Sequence, residues 1–236
     1  MIFYKLKIDD KYPCPWYNDK VDHFDRVICP KHPGHQRGVR NEHPLSIEIK
    51  KFKFGDFVST VYSDWLITDR VAEIFESNHL TGYELRPVDV CNATLPFSLW
   101  EIVATGKAEP HPDSGIREIY HCEYCNSVER RSFSDSTGII IDEATWDGSD
   151  FFRIEAYPKY IFVVEKVKKI IEEHHLAGAL LIPSTELRIR SLKYDQDWTK
   201  EQWKEYFERD ITPLKEKLIR EAKEAWERVG VKRDDS

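Results

Sequence analysis

Leu66-Ile67-Thr68-Asp69-Arg70-Val71 and, 96 residues later, Phe162-Val163-Val164-Glu165-Lys166-Val167 open the same pattern, which runs on in register to Pro87 and Pro183. Over these 22 positions eight are identical: Val71/Val167, Ile74/Ile170, Glu76/Glu172, His79/His175, Leu80/Leu176, Gly82/Gly178, Leu85/Leu181 and Pro87/Pro183. An apolar run ending at Ile67 or Val163 reads as a strand. In the first copy Thr68-Asp69 then offers a side-chain cap and early negative charge for a helix. Val71, Ile74 and Phe75, matched by Val167, Ile170 and Ile171, recur at helical spacing and predict one buried face. Each helix should end near His79 or His175, where a protonated imidazole suits the helix dipole. Gly82 and Gly178 permit a turn into a second strand, which Pro87 and Pro183 stop. The unit is strand, helix, strand, used twice.

Outward from the repeat lie two cysteine/histidine knuckles, Cys29-Pro30-Lys31-His32-Pro33-Gly34-His35 and His121-Cys122-Glu123-Tyr124-Cys125. Two ligands separated by two residues on a tight turn chelate one ion, and a second such turn completes a tetrahedron. The spacing selects Cys29, His32, Cys122 and Cys125 as ligands of a structural zinc, with His35 as the substitute if His32 faces away. At an offset of about 93, Cys29 falls on Cys122 and His32 on Cys125, so each half of the duplication is expected to donate one knuckle to a shared ion. Against this stands the plain reading of reduced thiols and solvated loop histidines. A redox reading of Cys122 and Cys125 is weaker, because polar residues follow where a thioredoxin-like motif would open a long helix. Four protein ligands close the site and leave no place for an activated water, which points to structure and not catalysis.

Five cysteines make an odd count that suits reduced thiols with metal better than a disulfide framework. Cys91 reads as a small core residue, and Cys14, between Pro13 and Pro15, has no assigned role. A chain of 236 residues can bury a core unaided, as one domain or two. Neither a secretory signal nor an apolar run of membrane-spanning length is apparent, and a cytoplasmic location is expected. The net charge of −7 disfavours binding to a phosphate backbone. Local basic pieces, Glu129-Arg130-Arg131 and Arg188-Ile189-Arg190, read as solvated surface.

The remaining segments carry weak chemical signals. Phe97 to Gly106 resembles a strand, and Lys107 to Ser114 a proline-built loop in which His111 and Asp113 form the one conceivable acid/base pair. No nucleophile accompanies them. Asp142, Glu143, Asp147 and Asp150 lack the spacing of a calcium loop and read as a solvated turn that positions Phe151 and Phe152. Near the C-terminus, Trp198, Trp203, Tyr206, Phe207, Leu214, Leu218 and Trp226 predict two amphipathic helices, roughly 199 to 210 and 213 to 228, broken by Thr212-Pro213. The residues lack a Gly-rich phosphate loop, a nucleophile elbow and a His-Glu-x-x-His helix, so an enzyme is disfavoured.

The expected fold is α+β: two related strand-helix-strand units joined by a zinc-ribbon-like site, with C-terminal amphipathic helices. The divisions are 1–95, 96–190 and 191–236, or one compact domain overall. Trp146-Asp147-Gly148-Ser149-Asp150-Phe151-Phe152-Arg153-Ile154, then Tyr160 to Val167 and Leu176-Ala177-Gly178, together with the paired knuckles, resemble the signature of the myxobacterial double-CXXCG motif family over residues 1 to 187. That family includes immunity proteins that protect a cell from contact-delivered toxins. The resemblance implies a binder that occludes a cognate toxin protein; from composition and charge, no membrane partner is expected and nucleic acid is disfavoured. The alternative is a zinc-ribbon regulatory or nucleic-acid-binding protein. This chain departs from the family pattern where His32 replaces the second cysteine, with Pro33-Gly34 after it, and where Asn126 replaces glycine. Imidazole is an acceptable ligand, and asparagine tolerates the left-handed backbone that glycine would adopt.

Overall fold

The computed structural model describes residues 1–12, 14–32, 35–41, 43–49, 54–132, 138–187 and 198–209, with positions 213, 216, 217 and 220 beyond them. Strands β1 (Phe3–Ile8), β2 (Trp16–Tyr17), β3 (Phe24–Ile28), β4 (Gln36–Arg40), β5 (Leu45–Glu48), β6 (Phe57–Ser59) and β7 (Trp65–Thr68) lead into helix α1 (Asp69–Ser77). Then come β8 (Tyr83–Val90), β9 (Leu99–Ala104), β10 (Gly106–Pro110), β11 (Ile116–His121), β12 (Val128–Ser132), β13 (Ile141–Asp142), β14 (Phe151–Ile154) and β15 (Phe162–Val164). Helix α2 (Glu165–Glu173), β16 (Ala179–Pro183) and helix α3 (Lys200–Glu208) complete the order. The class is α+β, as expected, and the basic piece at 188–190 and nearly all of the predicted helix 213–228 fall outside the described residues. Among the described residues no helix is long and apolar enough to cross a membrane.

The chain divides into two compact units, each discontinuous in sequence. The larger, drawn from Met1–His23, Asn41–Arg117 and Arg131–Leu192, holds both six-stranded sheets. One sheet has the order β2-β5-β8-β9-β7-β6 and the other β13-β10-β14-β15-β1-β16. The duplicated strand-helix-strand is present in both: β7-α1-β8 in the first, β15-α2-β16 in the second. In each, a third strand lies between the two and runs antiparallel to both, β9 between β7 and β8, and β1 between β15 and β16. Their registers correspond: Glu101 faces Leu66 and Arg86, while Lys5 faces Phe162 and Ile182, so all three positions shift by 96. β1 therefore belongs to the first copy but completes the sheet of the second, and β9 belongs to the second copy but completes the sheet of the first. The two halves have exchanged their opening strands.

A reciprocal clasp accompanies the exchange. Asp56, just before β6, accepts the Ala177 N–H of the other copy at 2.8 Å, and Asp150, just before β14, accepts the Thr81 N–H at 2.9 Å. Next to each carboxylate the strand backbone bonds to the same turn: Phe57 N–H donates to the Ala177 carbonyl and Phe151 N–H to the Thr81 carbonyl. A basic residue in the first helical turn ties each carboxylate across the copies. Arg70 reaches Asp56 and the His174 carbonyl, and Lys166 reaches Asp150 and the His79 carbonyl. Gly82 and Gly178 make the approach possible. Both have positive φ, +81° and +100°, and a Cβ at either would lie 2.1 Å from the carbonyl oxygen of Phe151 or Phe57.

Each helix ends as its sequence requires, though by a different device from the one expected. His79 and His175 both adopt φ of 50° and their N–H groups return to Glu76 and Glu172, while Leu80 and Leu176 return to Phe75 and Ile171. This is the paired closure of a left-handed helix stop, with histidine in the place glycine usually takes. At the other end Thr68 occupies the N-cap position, but its side chain makes no capping bond. Asp69 instead accepts from the N–H of Arg70 and of Ser98. The helices bury Val71 and Phe75, and Val167, Ile170 and Ile171, in one core that also contains Phe57, Phe151, Phe152 and Phe162 at 0% exposure. Phe151 carries the packing between copies, its ring 5.2 Å from those of both Phe75 and Tyr83.

Two readings change. Residues 107–110, expected as loop, lie in β10, which pairs in parallel register with β14. Cys91 is exposed and not core; Cys14 is exposed too. Because Gly178 combines left-handed backbone with a 2.1 Å contact, Gly178→Ala is expected to cost about 2–4 kcal/mol. Thermal unfolding should show this as a loss of roughly 4–16 °C. An unchanged midpoint would mean that the turn does not hold the copies together.

Candidate metal centre

The smaller unit, drawn from Phe24–Arg40, Glu118–Arg130 and the described residues after 198, contains both knuckles. Each is the tip of a two-stranded ribbon, β3 with β4 and β11 with β12. The first ribbon is in regular antiparallel register from Phe24↔Arg40 to Ile28↔Gln36, and Cys29 N–H continues it by donating to the His35 carbonyl. Cys29 and His35 therefore stand across the ribbon from each other. In the second, Cys122 N–H donates to Ser127 and Asn126 N–H returns to Cys122, a tighter loop that keeps Cys125 inside the turn. Asn126 has φ of 53°, the left-handed backbone expected of a residue in glycine's place.

The ligand atoms of Cys29, His35, Cys122 and Cys125 all lie within 4.8 Å of one another. Three of the four residues selected by spacing converge here, and each half of the duplication supplies one knuckle, as anticipated. The fourth residue of the cluster is His35, and His32 lies outside it. The reason is the longer first loop: the turn carries the His32 N–H to the Cys29 sulfur at 3.3 Å, while the ribbon brings His35 opposite Cys29. The His32 ring then points to Glu208, its Nε2 3.7 Å from Oε1.

The donor set fits a four-coordinate ion. Bonds of about 2.3 Å to sulfur at the tetrahedral angle separate two sulfurs by about 3.8 Å. Cys29 Sγ and Cys122 Sγ are 3.9 Å apart, and both residues are buried. His35 is oriented for the same task. Its Nε2 bonds to the Phe207 backbone carbonyl, which can only accept, so the proton sits on Nε2 and the Nδ1 lone pair is left for the ion. Nδ1 is buried without a hydrogen-bond partner.

Electrostatics favour one thiolate in advance. Burial works against a charged sulfur at Cys122, but the backbone N–H groups of Cys125 and Tyr124 and the Tyr120 hydroxyl outweigh it and lower the thiol to about 6. Burial raises Cys125, and the neighbouring sulfurs of Cys122 and Cys29 add to the effect. Tyr120 is held protonated, first by burial and then by its bond to Cys122.

The other candidate residues are accounted for locally. His111 Nδ1 accepts the Asp113 N–H and caps the start of a single 3-10 turn, with Nδ1 also 3.5 Å from Asp113 Oδ2. Asp142, Asp147 and Asp150 accept from Ala144, Ser149 and Thr81 respectively, and Glu143 pairs with the N-terminal amine. No protein-family model matches the chain, and no curated protein matches it.

Two measurements check the centre. His35→Ala should weaken metal binding on the order of 100-fold, roughly a quarter of the about 10–16 kcal/mol shared by four ligands. His32→Ala should leave it nearly unchanged. Cobalt(II) titration followed by its thiolate absorption separates the two, and equal effects would contradict the assignment. The second concerns pH. Because the folded Cys122 thiol is lowered to about 6, the stabilisation of its thiolate is complete above the ordinary thiol range and lost as pH falls through about 6. Chelator competition should therefore show metal affinity falling more steeply with acidification below about pH 6, as Cys122 adds its one proton per ion to those released by the other ligands.

Proposed function

We propose that this chain is an immunity-type protein that binds and neutralises a cognate bacterial toxin, and that its Cys29, His35, Cys122 and Cys125 centre holds a structural zinc ion. Three thiolates and one imidazole are the soft-to-borderline donors that zinc accepts in closed tetrahedral sites. The observation that carries the reading is this four-donor closure, which leaves no coordination position for substrate or activated water and so favours a scaffold that acts by binding. The resemblance to the double-CXXCG motif family supplies the kind of partner. A net charge of −7 suits a basic toxin, since complementary charge accelerates encounter and covers the toxin's substrate surface.

One observation bears on the alternative of a nucleic-acid module. Lys31, Lys200 and Lys204 line a cleft of about 390 Å³ beside Tyr120 and Tyr124. Glu118, Glu123 and Glu208 line the same cleft and offset the positive field, which disfavours a phosphate track.

Capture of the tagged chain from lysate of its source cells should bring down one stoichiometric protein partner. Expression of that partner alone should arrest growth, and co-expression of this chain should restore it. Recovery of nucleic acid, or of a partner that is harmless when expressed alone, would sink the immunity reading.

A further inference from the structure

Among the described residues, the apolar packing of the smaller unit gathers around the ligand residues. Two-stranded ribbons are marginal on their own. The apolar cluster of this unit consists of Cys29, Tyr120 and Cys122, with Cys125 and Phe207 packed against them. Most of that cluster is the ligand set itself. The remainder is Tyr120 of β11 and Phe207 of α3, a helix whose N-terminus is set by a reciprocal bond between Thr199 and Gln202 and which buries Trp203.

Three separate contacts run from α3 to the knuckles. The Phe207 carbonyl fixes the His35 ring with Nδ1 free. The Phe207 ring stacks on Tyr120 at 4.9 Å and 25°, and Trp203 stacks behind Phe207 at 5.8 Å and 20°. Glu208 faces His32 Nε2 at 3.7 Å and the Tyr120 hydroxyl at 3.4 Å. Each requires the C-terminal end of α3 to be docked, and the first acts on a ligand atom's neighbour in the same ring.

We infer that docking of α3 and metal binding at Cys29, His35, Cys122 and Cys125 form one linked equilibrium, in which the Phe207 carbonyl is a positioning group for His35. Without the ion the four donors lose the interaction that holds the two ribbon tips together, and α3 loses the Tyr120 surface on which Phe207 stacks. Without α3, His35 loses the acceptor that orients its ring, and the thiolates lose their aromatic cover. Linkage makes the effect reciprocal: the factor by which docking strengthens metal binding is the factor by which metal strengthens docking. The inference rests on the metal reading proposed above and is independent of the toxin.

The test uses the full chain with zinc alone as the probe. Hydrogen exchange of the Lys200–Glu208 amides is expected to rise when a chelator removes zinc and to fall when zinc is restored, while the Glu165–Glu173 amides stay unchanged. Trp203→Ala and Phe207→Ala, neither of which removes a ligand, should weaken zinc binding about tenfold or more in chelator competition. Phe207→Tyr, which keeps the stacked ring, should restore it. Exchange in α3 that ignores zinc overturns the inference, as does an affinity of both alanine variants within about twofold of the parent. Should a variant fail to fold, the chelator experiment on the parent chain decides alone. A parent chain that binds no zinc overturns both this inference and the metal reading; one that binds zinc with an indifferent α3 overturns this inference only.

Discussion

Two aspartates, Asp56 and Asp150, set the geometry on which the larger unit depends. Each sits at the start of a strand of its own copy and accepts a backbone N–H from the turn after the other copy's helix. A carboxylate is well suited to this place. It takes the amide of the turn and a cation from the first turn of its own copy's helix, so burial leaves little of it unsatisfied. Arg70 and Lys166 extend the tie by reaching a carbonyl at the end of the opposite helix. The helix stop, the glycine turn and the strand start thus meet at one point, twice. Gly82 and Gly178 are required because a carbonyl oxygen of the other copy fills the space a side chain would take.

The exchange of β1 and β9 gives the clasp its consequence. Neither sheet is complete within one half of the sequence, since each has its middle strand supplied by the other half. A middle strand has two hydrogen-bonded edges, so its loss would break a ladder on both sides. The halves are joined through backbone pairing as well as through packing, and a perturbation in one copy should weaken both.

Much of this was legible in the residues, and what was missed has physical reasons. The strand-helix-strand unit was readable because Gly, Pro and the buried helix positions are each constrained by conformation or volume. The knuckles were readable because metal chemistry narrows residue type and spacing together. The strand exchange was not readable, because Phe3 to Ile8 and Leu99 to Ala104 share only an apolar character and no identical residue at the 96-residue offset. A strand's place in a sheet is fixed by pairing with distant segments, which leaves little local trace. Asp56-Phe57 and Asp150-Phe151 were a usable signal, spaced by 94 instead of 96 because the second hairpin is two residues longer. His79 and His175 were assigned to the helix dipole when their backbone conformation was the reason for their position. His35 displaced His32 because the ribbon register, and not the spacing along the turn, decides which ring faces Cys29.

The two copies differ in how each builds its knuckle. Cys29 and Cys122 are equivalent and bury equivalent sulfurs, but their partners come from different places, Cys125 from within a tight turn and His35 from across a ribbon. A symmetric pair of Cys-x-x-Cys turns would need nothing outside themselves to orient the sulfurs. An imidazole does: either nitrogen can bind, so a second group must decide which one faces the ion. Here that group is the Phe207 carbonyl, from a segment beyond the duplicated region. The histidine of the first knuckle and the aromatic helix after the second copy are therefore joined through the Phe207 carbonyl, at the point where the two knuckles differ.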